Sequence, residues 1–177
     1  LLALPDPAMV DEMVGLAWQC FDYASSWFGQ PAALNPKFAG SKDIEGADAD
    51  LILGDLLLEI KTVSKVRSSH YRAWLRQLLG YALLDYDDRY RIRRVGIWLT
   101  RQQQILTVPL ARLLSEPFAS RDLHETEVVS HLSRLRRQFR DELLRIRNTA
   151  PWLLYYDLRG SRPEVPTPTA WTLPLFG

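Results

Sequence analysis

The sequence predicts an α/β domain in which two β-hairpins and three helices share one core. Three observations predict it. The run Gly46 to Thr62 holds two short apolar segments joined by Gly54-Asp55, and its charged residues sit only at the outer ends and the turn. A second pair of apolar segments, ending at Thr100 and Leu110, is joined by Arg101 to Gln104. Between and around these pairs, apolar residues recur at helical spacing over residues 7 to 28, 71 to 86 and 122 to 148. The chain's 177 residues suffice for one domain with a proper core, 1 to 160, followed by a proline-bearing irregular tail, 161 to 177.

The first helix starts at Asp6-Pro7, an N-cap followed by proline at the first helical position, and carries Val10, Met13, Val14, Ala17, Trp18 and Phe21. Gly29-Gln30-Pro31 ends it. Residues 30 to 46 lack periodicity and read as a long connection, in which Asn35, Lys37, Ser41 and Lys42 are candidate contacts to a substrate backbone.

In the first hairpin, glycine at the first place of a two-residue loop suits a type II′ turn. That turn sets the register: Leu53 pairs with Leu56, Ile52 with Leu57, Leu51 with Leu58, and Asp50 then faces Glu59 while Asp48 faces Lys61. Opposed carboxylates about 5 Å apart at Cβ destabilise a sheet unless something compensates them. A divalent cation such as Mg²⁺, which takes carboxylate oxygens and keeps several waters, would do so. The pattern fits equally a hairpin end in solvent, with Lys61 paired to Asp48. Alternation puts Glu59 and Lys61 on one face with Leu57, and Leu56, Leu58 and Ile60 on the other, so this strand is expected to be central.

The next helix, 71 to 86, carries Trp74, Leu75, Leu78, Leu79, Ala82 and Leu83 on its apolar side. Gln77 and Tyr81, four apart, share one edge and can offer hydrogen bonds to one point. Residues 89 to 100 read as a strand and 105 to 110 as its partner, with Pro109 marking a sheet edge. The long helix 122 to 148 has the stripe Val128, Leu132, Leu135, Phe139, Leu143 and Ile146; its arginines, Arg134, Arg136, Arg137, Arg140, Arg145 and Arg147, read as an outer, solvated face. Residues 152 to 158 read as a last strand.

Composition narrows the function. With 47% hydrophobic and 24% charged residues the chain is globular, and no run of about 18 apolar residues suggests a membrane span. One cysteine, Cys20, excludes a disulfide framework and a cysteine-rich zinc site. A reducing cytoplasm is the default compartment, and the initial Leu1 fits a segment of a longer polypeptide. Net charge is only +1. The charge is segregated, however: residues 43 to 59 are acidic, while residues 61 to 94 are rich in Lys and Arg, a distribution suited to a phosphodiester beside a cation. Lys65, Arg67, His70 and Arg76 join Ser41 and Lys42 as candidate nucleic-acid contacts.

Asp50, then Glu59-Ile60-Lys61 on the following strand, then Gln77 and Tyr81 on the next helix, resemble the PD-(D/E)XK nuclease superfamily, in particular its RecB-type exonuclease-like members. The resemblance spans about residues 7 to 110. It implies a restriction-endonuclease-like mixed central sheet flanked by helices, and DNA cleavage with Mg²⁺ or Mn²⁺ of the kind used in restriction, repair or phage defence. It also implies roles: Asp50 and Glu59 as metal ligands, Lys61 as the residue that orients the attacking water, and Gln77 and Tyr81 as its helical support. Glu12 or Glu45 would supply a further acid from outside the hairpin. Ala49 stands where the family motif has proline. The other function expected of such a chain is that of an inactive copy that binds nucleic acid or scaffolds a larger complex with other domains or subunits.

Overall fold

The computed structural model describes residues 6–114 and 125–149. The strand expected over 152 to 158, the tail 161 to 177 and the first residues of the last helix lie outside them. The described chain runs α1 (Pro7–Ala24), β1 (Ala32–Leu34), β2 (Leu51–Leu53), β3 (Leu56–Lys61), α2 (Ser68–Leu84), β4 (Arg94–Leu99), β5 (Gln104–Pro109), α3 (Leu110–Leu114) and α4 (Glu125–Thr149), with short 3-10 turns at Ser25–Trp27, Ser41–Ile44 and Thr100–Gln102.

Five strands form one mixed sheet in the order β1-β2-β3-β4-β5. The β2–β3 pair takes the register set by its turn, Leu51 with Leu58, Ile52 with Leu57 and Leu53 with Leu56. Gly54 adopts φ +59°, whereas Asp55 is not among the positive-φ residues, which matches the demand of a type II′ turn for a left-handed first position only. On its other side β3 pairs in parallel with β4, from Leu56 with Arg94 to Lys61 with Leu99. A parallel partner requires a crossover, and α2 supplies it. β3 is therefore the central strand, and β5, antiparallel to β4, lies at the edge with Pro109 at its end.

The alternation of β3 divides the core. Leu57 joins Ile52, Val95, Ile97 and Leu99 beneath α2 and α4, with Leu78, Ala82, Leu132 and Leu143. Leu56 and Leu58 join Leu51 and Trp98 on the opposite face, covered by Cys20, Ala24 and Trp27 from the end of α1 and the turn after it. Gly96 lets β4 lie close between its neighbours: a Cβ there would stand 3.0 Å from Leu58 Cδ1 and 3.1 Å from the Leu106 carbonyl oxygen.

Several expectations are corrected. α1 begins as expected, the Asp6 carboxylate accepting from the Ala8 amide at 3.0 Å, but it ends at Ala24 rather than near residue 28. Its apolar residues are not its buried ones: Met13, Val14, Trp18 and Phe21 are all at least half exposed, Trp18 at 64%. The connection after it contains a strand, β1, paired with β2 from Ala32 with Leu53 to Leu34 with Leu51. A three-residue strand between Pro31 and Pro36 is too short to show alternation. α2 starts earlier than residue 71, at Ser68, because the His70 ring accepts the Arg67 amide at 3.3 Å. Residues 89 to 93 are not strand. Asp88 and Arg91 have φ of +50° and +47°, and the Asp85 carboxylate takes the amides of Arg89 and Tyr90, so the chain turns before β4 starts. Arg136, expected on the solvated face of α4, is buried at 2% exposure.

Candidate active site

The site forms where β3 faces α2. Glu59 and Lys61 leave β3 on the same side as Leu57, the side that α2 covers, and α2 brings Gln77 and Tyr81 over them. Lys61 Nζ donates to Glu59 Oε1 at 2.6 Å and to Gln77 Oε1 at 3.4 Å, and the Gln77 amide donates to the Tyr81 hydroxyl at 2.9 Å. The Lys61 ammonium also lies 6.0 Å from the centroid of the Trp74 ring. Four residues drawn from one strand and one helix thus form a continuous hydrogen-bonded chain.

Asp50 enters from the end of β2, but not in the expected way. The ladder stops at Leu51, and the Asp50 carboxylate turns to accept the Ile60 amide from β3 at 2.7 Å. Direct opposition to Glu59 gives way to a side-chain cap on the neighbouring strand. The expected facing of Asp48 and Lys61 also gives way: the backbone of Asp48 forms an isolated antiparallel β-bridge with that of Lys37, and the ion-pair partner of Lys61 is Glu59.

Glu59 is 4% exposed, and its Oε2 is buried with no hydrogen-bond partner. Burial pushes its carboxyl above the ordinary range; the Lys61 hydrogen bond pulls against this, and the nearby Asp50 charge adds to it. The Tyr81 hydroxyl is raised for related reasons, burial first and then the field of Glu59, Asp50 and Asp48, against the Gln77 hydrogen bond. Both shifts come first from burial, and the neighbouring carboxylates add to each. An orphaned carboxylate oxygen in a buried setting is where a hard cation would gain most, and Mg²⁺ needs only one or two protein carboxylates beside its waters. Asp50 and Glu59 would be those carboxylates, Glu59 through its unpartnered oxygen. Among the described residues no group of three or more His, Cys, Asp or Glu side chains could hold a metal.

Glu12 does not join the pair: it forms an ion pair with Arg101, whose Nε donates to the Thr62 carbonyl at 2.8 Å. It is therefore fastened to the chain just past Lys61. Glu45, the other candidate, is exposed and takes φ +60° at the end of a 3-10 turn.

Of the candidate nucleic-acid contacts, Lys42, Lys65, Arg67 and Arg76 are exposed. Ser41 is buried, and its hydroxyl is spent inside the loop, accepting the Phe38 amide at 3.0 Å and donating to the Ala47 carbonyl at 2.7 Å. His70 caps α2 and its ring packs on Trp74 at 5.3 Å.

Sequence reasoning missed the clasp behind Lys61. Thr100 Oγ1 donates to the Lys61 carbonyl at 3.3 Å, Arg101 reaches Thr62, and the Gln102 amide donates to the Val63 carbonyl at 3.1 Å. Three successive polar side chains at a strand end were the available signal, but only the parallel pairing of β3 and β4 places them against this segment.

A search of protein-family models, curated proteins and solved structures finds no match to this chain.

Proposed function

We propose that this protein is a metal-dependent deoxyribonuclease that hydrolyses phosphodiester bonds at the Asp50, Glu59 and Lys61 site. The observation that carries the reading is the buried Glu59 carboxylate, one oxygen without a partner and the other held by Lys61, with the Asp50 charge alongside. Asp50 and Glu59 would hold Mg²⁺ or Mn²⁺, which supplies a Lewis acid and lowers the pKa of water. The chain's own residues do the rest. Lys61 donates hydrogen bonds and positive charge where an attacking water and a phosphate oxygen must meet, and charge placed there in advance favours the transition state over the ground state. Gln77 fixes the Lys61 ammonium from above, and Tyr81 fixes Gln77. The turn Thr100–Gln102 holds the backbone of Lys61 to Val63 from the side. Lys42, Lys65, Arg67 and Arg76 are exposed and would contact the polyanion.

The test is incubation with linear, circular and single-stranded DNA, with and without Mg²⁺ or Mn²⁺. Cleavage is expected only with the cation, and Asp50→Ala, Glu59→Gln and Lys61→Ala should each lower its rate by about 100-fold or more while the fold is retained. Cutting that persists in all three variants would remove the assignment. The second reading, an inactive copy that binds nucleic acid, is favoured by one observation: Lys61 already neutralises Glu59 at 2.6 Å. In that case binding should weaken steeply with salt and no divalent ion should produce cleavage.

A further inference from the structure

The ion pair between Glu59 and Lys61 bears on how the site is loaded. Glu59 presents two oxygens in a pocket where its side chain is 6% exposed and that of Lys61 is 20% exposed. One oxygen is bound by the ammonium and the other has no partner. Lys61 is held by more than this contact: its Nζ also donates to Gln77 and lies near the Trp74 face. A divalent cation arriving at Glu59 therefore meets a fixed positive charge already seated on the carboxylate it needs. Like charges a few ångströms apart in a poorly solvated pocket repel strongly.

We infer that Lys61 is the resident counter-ion of Glu59, and that its ammonium must give up Glu59 Oε1 for a divalent cation to bind, so that Lys61 weakens cation binding to the free protein. This rests on the metal-site reading proposed above, and goes beyond it by giving Lys61 a role before any substrate arrives. Burial makes the pair an exchange site: the carboxylate is accompanied by one cation or by another, and a bare Glu59 is the costly state.

The experiment is a calorimetric titration of Mn²⁺ alone, without nucleic acid, into the full chain at pH 8. Wild type is compared with Lys61→Met, Lys61→Arg and Glu59→Gln, with circular dichroism to check that each is folded and Lys61→Gln in reserve should the methionine variant unfold. Lys61→Met is expected to bind Mn²⁺ at least about tenfold more tightly than wild type, because the competing charge is gone. Lys61→Arg, which keeps the charge, should show no such gain. If Lys61→Met binds no more tightly than wild type while Glu59→Gln abolishes binding, the counter-ion role is overturned and the metal site stands. If Glu59→Gln binds as well as wild type, or neither wild type nor Lys61→Met binds, the metal site itself fails and the inference with it.

Discussion

Burial gives Glu59 a proton affinity above that of an ordinary carboxylate even with Lys61 against it. The consequence for stability has a definite sign. A carboxyl whose pKa is higher in the folded than in the unfolded state favours folding while it is protonated, and that contribution is lost as pH rises through its folded pKa. Once ionised, Glu59 is thus a cost to the fold. Glu59→Gln should raise the thermal midpoint at pH 7.5 by about 2 °C, and the gain should shrink toward zero below about pH 4, where wild-type Glu59 carries its own proton. Thermal melts across that range check it; a gain that grows as pH falls would contradict the burial argument. At this scale the sequence was informative about Glu59, Lys61, Gln77 and Tyr81, because side-chain alternation on a strand and four-residue spacing on a helix are fixed by backbone geometry. It was not informative about Asp50, whose carboxylate had a backbone amide within reach, Ile60, that no pairing rule counts.

Among the elements, β3 and α1 stand at opposite extremes. β3 is paired on both edges and covered on both faces, with Leu57 and Leu58 fully buried. Leu57→Ala should cost about 2–5 kcal/mol, the transfer term plus the cavity left behind. Trp18→Ser on α1 should change stability by no more than about 0.5 kcal/mol, since Trp18 is 64% exposed. Urea denaturation of the two variants measures the contrast, and a large loss in Trp18→Ser would mean that α1 is covered in solution. Both elements were legible as strand and helix. What each faces was legible only for β3, whose two apolar sides leave no exposed orientation; α1 has apolar residues around much of its circumference, and only Leu16, Cys20 and Ala24 are even half-buried. The late start of the strand expected over 89 to 100 has a similar cause: Asp85 and Asp88 organise the turn before β4, and Arg136, which holds both, comes from elsewhere in the chain.

At the scale of the molecule, one buried cluster ties α4 to the rest. Arg136 donates through Nε to the Ala82 carbonyl at 3.0 Å, through one terminal nitrogen to Asp88 at 2.7 Å and through the other to Asp85 at 3.2 Å. Arg93 pairs with Asp88 as well, at 3.0 Å. Burial tends to raise the Asp88 carboxyl, but the Arg93 and Arg136 hydrogen bonds outweigh it and hold the group below the ordinary range, whereas the fully buried Asp85 ends above it, burial outweighing the Arg136 charge. Arg136→Ala strands the fully buried Asp85 carboxylate, while Asp88 keeps Arg93, and should cost about 3–5 kcal/mol. Asp88 stabilises the fold above its unfolded pKa and loses that contribution as pH falls through its lower folded pKa. Asp88→Asn should therefore be destabilising at pH 7 and progressively less so as pH falls below about 3.9, the ordinary aspartate value, which urea titrations across that range would show. Arg136 falls four residues after Leu132, beside the stripe that α4 buries, but its charge reads as part of the outer face. Its partners were not readable either, because they stand 48 and 51 residues earlier in the chain.

The sequence by itself determined the α/β class, the register of β2 against β3, and which side chains of β3 and α2 share a surface. These follow from local rules: a two-residue turn has one favoured hand, and strands and helices have fixed periods. The tertiary structure alone decided that β3 and β4 are parallel, that Asp50 caps β3 rather than opposing Glu59, that Lys61 sits on Glu59, and that α1 leaves its apolar flank exposed. Each of these depends on where distant segments come to rest, and burial, which costs or stabilises only once neighbours are in place, is a property of the assembled fold.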